Sequence, residues 1–439
     1  MRLSGKAAAV IAGTAVLTLS LAACGGTKEN ETGNNKTPAK GGEPVTVTWW
    51  GWAPGYEAAA GAFNAAHKDV QIKFEQISSG SQGGYDKMLT AVKAGNAPCL
   101  GQVGAETFTS FLAQGALEDV SQYVTSAKDD FPEAAWKTVS LGDKIYGIPV
   151  DSGTMGMFYR ADLFEQFGLT VPTTWDEFKA AGQKLHAADA TKYIANLPTD
   201  AYNFSGYSWQ AGARWFSAAD DAWQVTIDSS ANIKVADFWQ SMVDEGIVST
   251  FPSWDAALNA AWSDGTVLAE VGAVWTAGIL ESEAKNSAGK WAVAPMPRWA
   301  GSDEVGNVGG SPNAVLKGCK NPKEAAEAAL WLSTNADSLN LMINEGGLYP
   351  ASTAGQALPV MKEGREFFGG QAIFEVFAKE SAKVNPDWQW GPVMTVTSSA
   401  LADGLGKVAN KSGTVADAFK SAQTKTVDEI EAQGYALKK

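Results

Sequence analysis

The sequence predicts an α/β fold with largely parallel sheets. Strand and helix patterns alternate along the chain: the alternating apolar residues of 45–49 precede an alanine-rich segment at 56–66, and a strand pattern at 70–77 precedes a helical pattern near 85–94. Such alternation is typical of α/β architecture. A chain of 439 residues is also long enough for two ordinary domains with sizeable cores.

The first 44 residues carry signals for export and anchoring. Arg2 and Lys6 precede an apolar run, 7–19, that is too short to span a bilayer as a helix, so we expect a signal peptide over residues 1–23. The run ends in LAACG at 21–25, which resembles the lipobox of bacterial lipoproteins. We therefore expect Cys24 to carry lipid; the alternative is an ordinary signal peptide cleaved near the alanines.

Lipid on Cys24 would anchor the protein to the outer face of the cytoplasmic membrane, outside the cytoplasm. Residues 24–44 are rich in Gly, Asn, Thr, Lys and Glu, and we expect them to form a flexible linker. After residue 24 the sequence contains no second apolar stretch of spanning length.

Composition excludes several classes of function. The formal net charge is −14, from 34 basic and 48 acidic residues, which argues against a nucleic-acid partner because phosphate binding needs clustered Lys and Arg. The two histidines, His67 and His186, fall on separate predicted helices, which argues against histidine-based zinc sites and Ser-His-Asp catalysis. We expect no cofactor, no metal and no catalytic residue.

Two cysteines remain after Cys24. Cys99 and Cys319 lie far apart and show no Cys-x-x-Cys spacing, which disfavours a metal or thioredoxin-like role. In an exported protein this pair could form a disulfide, or each could be a buried thiol that packs as a small apolar side chain. The sequence leaves these alternatives evenly balanced.

Three groups of segments occur in a fixed order. The first is KIYGIPVD at 144–151 with GMFYRADLF at 156–164, the second is PTTWDEF at 172–178, and the third is GGSPNAV at 309–315 with the helical pattern at 321–333. Together with the lipobox they resemble the family 1 extracellular solute-binding proteins of ABC importers, the group that includes maltose-binding proteins. Cys99 departs from the pattern, because relatives usually carry Asp there.

The resemblance implies two α/β lobes joined by three chain crossings, with the ligand held in the cleft between them. We place the crossings near Pro149, near 295–309 and near Tyr349-Pro350. A ligand site in the cleft is also expected on physical grounds, because ligands of open α/β sheets bind outside the carboxyl ends of the strands. Two lobes can close on such a ligand about a hinge. The expected lobes are 45–150 with 310–350, and 151–309 with 351–439.

Seventeen tryptophans are a heavy aromatic load. Aromatic rings suit the apolar faces of a sugar, while carboxylates and amides suit its hydroxyl groups. Helical spacing assigns Trp239 and Trp331 to the core, and Trp175 to a helix start. The candidate ligand-binding residues lie at strand ends, turns and crossings: Trp52, Glu106, Asp151, Trp209, Gln210, Trp215, Trp275, Gly310, Ser311, Tyr349, Trp388, Gln389 and Trp390.

Each candidate has a structural alternative. In the first strand, alternation predicts that Trp49 packs inward and Trp50 lies on the opposite face, which leaves Trp52 freer to meet a ligand. Glu106 is either an acceptor for hydroxyl groups or a solvated loop charge. Asp151 is either a cleft residue or a hinge cap.

The other candidates fall in loops and at crossings. Trp209 and Gln210 belong to a Gly/Ser/aromatic segment interpreted as a loop, and Trp215 follows it. Trp275, which ends a strand, has a core role as its alternative, and Tyr349 has hinge packing. Gly310 and Ser311 could offer backbone donors. In the pair Trp388 and Trp390, one ring would stack on sugar and the other would anchor the loop.

These candidates favour a protein that binds a sugar, closes, and delivers it to the permease subunits of an ABC importer. Several aromatic positions favour an oligosaccharide over a monosaccharide. The main alternative is a secreted glycosidase, which needs two positioned carboxylates, and the third is a surface scaffold, although the chain shows no internal repeat. We expect a monomer.

Overall fold

The structure is a computed structural model that describes residues 43–219 and 221–438. The predicted signal peptide, Cys24 and most of the expected linker lie outside the described residues. Among the described helices, none combines the length and the apolarity that a membrane crossing requires.

The described strands are short and fall into several sheets. In chain order they are β1 (Val45–Gly51), β2 (Val70–Gln76), β3 (Leu100–Gln102), β4 (Ser140–Leu141), β5 (Lys144–Ile145), β6 (Gly147–Ile148), β7 (Met155–Arg160), β8 (Ala195–Asn196), β9 (Phe216–Ala219), β10 (Ala222–Val225), β11 (Val248–Ser249), β12 (Ala269–Ala273), β13 (Trp291–Pro295) and β14 (Asn313–Val315).

Helices cover the sheets. In chain order they are α1 (Tyr56–Ala66), α2 (Gly84–Ala94), α3 (Ala105–Ala113), α4 (Ser121–Val124), α5 (Glu133–Thr138), α6 (Ala161–Gln166), α7 (Trp175–Ala188), α8 (Ala201–Gln210), α9 (Ser230–Asp244), α10 (Ala256–Asp264), α11 (Thr276–Glu283), α12 (Pro322–Thr334), α13 (Ala336–Gly346), α14 (Thr353–Gln356), α15 (Ile373–Ser381), α16 (Met394–Ala409) and α17 (Val415–Ala432). Short 3-10 turns lie at Gly80–Gln82, Thr125–Asp130, Lys285–Ser287, Pro359–Lys362 and Glu366–Phe368.

The first lobe is built on a five-stranded sheet with the order β2-β1-β3-β14-β6. Strands β2, β1 and β3 run parallel, as predicted, whereas β14 runs antiparallel between β3 and β6. The alternation in β1 is confirmed: Trp49 is fully buried and Trp50 is partly exposed on the opposite face. The indole of Trp49 donates to Asn313 Oδ1 at 3.1 Å, which ties β1 to β14.

The second lobe is built on a three-stranded sheet in which the expected parallel arrangement is wrong. Its order is β12-β7-β13, and both outer strands run antiparallel to β7. Strands β12 and β13 form a parallel crossover through α11, and β7, from much earlier in the chain, lies between them. Alternation of strands and helices along the sequence does not reveal such an inserted strand, which is why the prediction failed.

Apolar side chains bury both faces of this second sheet. Phe158 and Val293 belong to a cluster that continues from the first lobe, whereas Met157 and Ala294 belong to a second cluster on the other face. Successive residues of a strand point to opposite faces, which explains this division. The core role predicted for Trp239 is confirmed, because its side chain is buried in the second cluster. The exact lobe bounds stay a prediction.

The predicted helix start at Thr174 is also confirmed. The Thr174 hydroxyl accepts from the backbone N–H of Glu177, and the Glu177 carboxylate accepts from the backbone N–H of Thr174, which together form a capping box. Trp175 follows this cap and is fully buried. The cap thus fixes where α7 begins and directs its first side chain into the second cluster.

A disulfide joins Cys99 and Cys319. Cys99 precedes β3 and Cys319 follows β14, and these strands are antiparallel neighbours in the first sheet. The bond closes a segment whose ends are separated by 220 residues in sequence. In the chain-entropy account, a covalent link over so long a loop stabilises the fold mainly by restricting the unfolded chain.

We therefore expect the double substitution Cys99→Ala, Cys319→Ala to lower the free energy of unfolding by about 2–5 kcal/mol. Denaturant unfolding of the oxidised protein, of the reduced protein and of the variant measures this effect. Reduced wild type should resemble the variant. Equal midpoints for the oxidised wild type and the variant would contradict the stabilising role.

Candidate ligand-binding site

Three chain segments, at the positions where the sequence predicts crossings, lie side by side. The backbone N–H of Ser152 donates to Tyr349 O at 3.0 Å, and that of Gly153 donates to Gly309 O at 2.6 Å. Asp151 also forms an antiparallel bridge with Pro350. The segment at 151–153 is thus hydrogen-bonded to both of the other segments, so the three form one connected unit.

Asp151 fixes the geometry of this unit. Its Oδ1 accepts from the backbone N–H of Ser311 at 2.6 Å. A Cβ on Gly310 would lie 2.1 Å from the backbone oxygen of Asp151, so only glycine fits there. Burial raises the pKa of the Asp151 carboxyl to about 6, while the bond from Ser311 opposes the rise. The Asp151 carboxyl thus acts as a cap here, and it occupies the backbone N–H of Ser311, a candidate donor to a ligand.

Glu106 lies where the two lobes meet. It is the second residue of α3 and is only 5% exposed, so the alternative of a solvated loop charge is wrong. Its Oε1 accepts from the hydroxyl groups of Tyr85 and Tyr202, each at 2.5 Å. Tyr85 belongs to α2 of the first lobe and Tyr202 to α8 of the second. The carboxylate is therefore held from both sides of the cleft.

The position of Glu106 depends on a neighbouring glycine. A Cβ on Gly104 would lie 2.1 Å from Glu106 Oε2 and 2.4 Å from the hydroxyl of Tyr85. The backbone N–H of Gly104 also donates to that hydroxyl at 3.0 Å. Burial raises the pKa of Glu106, and the hydroxyl groups of Tyr202 and Tyr85 oppose the rise.

Trp52 lies beside this group. Its ring meets that of Tyr85 edge to face, with centroids 5.6 Å apart, and its side chain is partly exposed. The backbone N–H groups of Trp52 and Ala53 both donate to Gln102 Oε1, at 2.9 and 3.2 Å, which fixes the turn after β1. The ring of Trp52 is therefore accessible to a ligand, although the backbone of its turn is fixed.

A second polar group lies at the start of α8, where the sequence pattern gives no sign of it. Asp200 caps the helix by accepting from the backbone N–H of Tyr202 at 2.8 Å. Asn203 Nδ2 donates to Glu270 Oε1 at 2.9 Å. Burial raises the pKa of Glu270 to about 8, and the negative charge of Asp200 adds to the rise. The signal that could have revealed Glu270 is a single carboxyl within the apolar strand β12.

Two further aromatic rings border the crossings. Trp275 directly precedes α11, and its ring lies over Gly153, where a Cβ would come within 2.7 Å of the indole. Trp390 lies against Gly309, where a Cβ would be 3.8 Å from its ring and 3.0 Å from Ala105 Cβ. Ala105 adjoins Glu106 in α3, so Trp390 reaches the same part of the cleft.

Trp388 has a different role from Trp390. Its ring stacks on Trp209 with centroids 5.0 Å apart and planes at 8°, while Trp390 meets both rings edge to face. Trp209 donates from its indole N–H to Asn385 O at 2.7 Å. The structure thus supports Trp388 as the anchor of the loop and leaves Trp390 as the ring that faces the crossing.

The remaining candidates make contacts within the protein: Gln210, Trp215 and Tyr349 are buried, whereas Trp209 and Gln389 keep exposed surface. Trp209 and Gln210 lie in α8 and not in a loop, because the Asp200 cap outweighs the loop-like composition. Gln210 bridges the Trp175 indole and Pro297 O, and Trp215 is fully buried with no surface left for a ligand. Tyr349 is 4% exposed and packs near Phe374. Gln389 Oε1 accepts from the backbone N–H of Ala218.

Electrostatics favour a neutral, hydroxyl-rich ligand. Four carboxyl groups lie along this region: Glu106, Asp151, Asp200 and Glu270. None of the ion pairs among the described residues involves any of these four groups. Burial raises the pKa of each. A site of carboxyl acceptors and aromatic rings suits hydroxyl donors and apolar C–H faces better than it suits an anion.

Sequence comparison establishes the class of protein. Residues 49–338 match the family described as bacterial extracellular solute-binding protein. This match covers more than half of the chain, so the chain belongs to that family. The fold agrees, since its structural relatives have the same two-lobed architecture.

Individual relatives are binding proteins and not enzymes. The chain is 26% identical over 350 residues to the lactose-binding protein of Rhizobium radiobacter, covering 76% of this chain and 81% of the relative. It is 22% identical over 388 residues to the arabinooligosaccharide-binding protein of Bacillus subtilis, covering 84% and 87%.

Two solved structures are similar over almost the whole chain. The galacto-N-biose-/lacto-N-biose I-binding protein of the ABC transporter from Bifidobacterium longum superposes with a TM-score of 0.82 at 31% identity, covering 90% of this chain and 100% of that one. An ABC transporter associated binding protein from B. animalis subsp. lactis Bl-04, in complex with β-1,6-galactobiose, gives a TM-score of 0.84 at 24% identity, with the same coverage.

The raised pKa of Glu270 predicts how stability depends on pH. The folded state keeps the Glu270 carboxyl protonated up to about pH 8, whereas the ordinary pKa of a glutamate is 4.5, so the free energy of unfolding should fall as pH rises between these values. Glu270→Gln removes this titration. From pH 4.5 to pH 8, the free energy of unfolding of wild type should therefore fall by about 1.4 kcal/mol or more relative to that of the variant, which is the equivalent of at least one pKa unit.

Urea unfolding at several pH values between 4.5 and 8, the interval over which the raised pKa of Glu270 should act, measures this difference. Glu431→Gln, at an exposed position of α17, is the matched control and should follow wild type. Parallel curves for wild type and Glu270→Gln would show that Glu270 does not titrate abnormally.

Proposed function

We propose that this protein captures a sugar, of oligosaccharide type, between its lobes and delivers it to the permease of an ABC importer. The observation that carries the proposal is the Glu106 carboxylate, which accepts from Tyr85 on one lobe and Tyr202 on the other. A sugar hydroxyl can replace either phenol as a donor, and closure then brings groups of both lobes to the same ring.

The aromatic rings around Glu106 supply the apolar half of the recognition. Trp52, Trp275 and Trp390 are each partly exposed and approach the cleft from three different chain segments. Rings that are already held in place cost little ordering entropy when a ligand binds. Relatives named for lactose, arabinooligosaccharide and lacto-N-biose support sugar as the ligand class.

A glycosidase is not favoured. Such an enzyme needs one protonated carboxyl and one carboxylate on either side of the scissile bond. Here Asp151 is engaged by the Ser311 backbone N–H, and Glu106 is engaged by two phenols. Incubation with lactose, lacto-N-biose and β-1,6-galactobiose distinguishes the functions: we expect a complex with the sugar intact, whereas shortened products would overturn the binding role.

The neighbouring tryptophans Trp388 and Trp390 offer a matched pair of substitutions. Trp390→Ala should weaken sugar binding by about 1–3 kcal/mol, because it removes a partly exposed ring at the crossing. Trp388→Ala should mainly lower the melting temperature, because its ring stacks on Trp209. Calorimetric titration with a glycan-array hit, together with thermal unfolding, measures both effects. Equal affinity of wild type and Trp390→Ala would remove Trp390 from the site.

We also propose that lipid on Cys24 anchors the protein and that it acts as a monomer. The basic flank, the short apolar run and the LAAC motif support the anchor. In the bacterial host, Cys24→Ser should release the mature protein from the membrane fraction, and wild type should carry lipid on its N-terminal peptide by mass spectrometry. An unmodified N-terminal peptide would contradict the anchor, and a dimer mass in light scattering would contradict the monomer.

A further inference from the structure

Trp254 combines exposure with backbone strain. Its side chain is 42% exposed, and among the described residues Leu141 is the only other large apolar side chain that is so exposed. Its φ of 65° lies in the left-handed region, which bulky residues rarely adopt. An exposed indole held in an unfavourable backbone conformation points to a role other than packing.

The surrounding loop imposes this conformation. Thr199 and Ser253 bind reciprocally: the backbone N–H of Thr199 donates to the Ser253 hydroxyl at 2.9 Å, and that of Ser253 donates to the Thr199 hydroxyl at 2.8 Å. Asp255 then caps α10 by accepting from the backbone N–H of Ala257 at 2.8 Å. Trp254 is thus fixed between a hydrogen-bonded pair and a helix cap.

The topology places Trp254 at the same edge as the cleft. Strands β8 and β11 are parallel neighbours, so their carboxyl ends meet at one edge. The chain after β8 leads to Asp200 and then to Tyr202, which reaches Glu106. The chain after β11 leads to Trp254. The loop after β11 therefore lies next to the loop after β8. Glu106, Tyr202, Asp200 and Trp254 follow one another along this edge.

A buried acceptor adjoins the exposed ring. Asp200 Oδ1 caps α8, but its Oδ2 is buried and has no partner of hydrogen-bond geometry. Burial raises the pKa of Asp200, and the side chains of Ser253 and Trp254 oppose the rise. A buried acceptor without a partner is costly, and a ligand hydroxyl would relieve that cost.

We propose that Trp254 and Asp200 form an outer subsite that takes a further sugar ring of an oligosaccharide whose inner rings occupy the cleft. The indole supports the C–H face of that ring, and Asp200 Oδ2 accepts from one of its hydroxyl groups. Trp254 thereby sets the preference for chain length. This inference rests on the proposed sugar-binding function and adds a specificity-determining residue to it.

The test uses substitutions that suit the backbone. Trp254→Gly removes the ring and is compatible with a positive φ, while Trp254→Phe keeps an aromatic face. Each protein is titrated calorimetrically with the di-, tri- and tetrasaccharides of the β-1,6-galactose and arabinose series, and with lactose and lacto-N-biose. Thermal unfolding of each variant reports any structural effect.

We expect Trp254→Gly to bind the disaccharides within about twofold of wild type and to lose about tenfold in affinity for tri- or tetrasaccharides. Trp254→Phe should retain most of that affinity. Losses that are equal at every chain length, or no loss at any, would overturn the subsite and leave the cleft function standing. If wild type binds none of these sugars, the proposed function fails and the subsite fails with it.

Discussion

The structure depends on one constraint: a carboxylate is buried where two lobes meet, and none of the ion pairs among the described residues involves it. Glu106 is stabilised instead by phenol groups that reach it from each lobe. Burying a carboxylate without such donors would raise the free energy of the folded state. The arrangement in which both lobes enclose Glu106 therefore depends on these hydroxyl donors. A sugar offers the same kind of donor as the tyrosines. That equivalence is why this geometry suits a reversible sugar-binding cleft better than a catalytic centre.

Close backbone approaches make this arrangement possible. Gly104 leaves room for the carboxylate of Glu106, and Gly310 leaves room for the backbone of Asp151 at the crossing. Gly153 provides the space in which the Trp275 ring lies. In each case a Cβ would lie closer than 3 Å to the neighbouring atoms. These glycines are therefore part of the cleft, although they contribute no side chain to it.

The sequence predicts the fold well and the site only in part. Period-two alternation correctly separated Trp49 from Trp50, because one face of β1 is buried. It could not separate Trp388 from Trp390, since only the contact with Trp209 in distant α8 decides their roles. Tyr202 and Asp200 escaped notice because their segment looks like an ordinary loop, and their significance depends on Glu106, almost 100 residues earlier.

We propose above all that sugar binds between Glu106 and Tyr202. A crystal structure of the mature protein with a bound sugar from the glycan-array screen tests this claim most directly. The account predicts a sugar ring enclosed by both lobes, with one hydroxyl on the Glu106 carboxylate and Tyr202 within contact distance. A sugar bound elsewhere, with the bonds from both tyrosines to Glu106 intact, would contradict it.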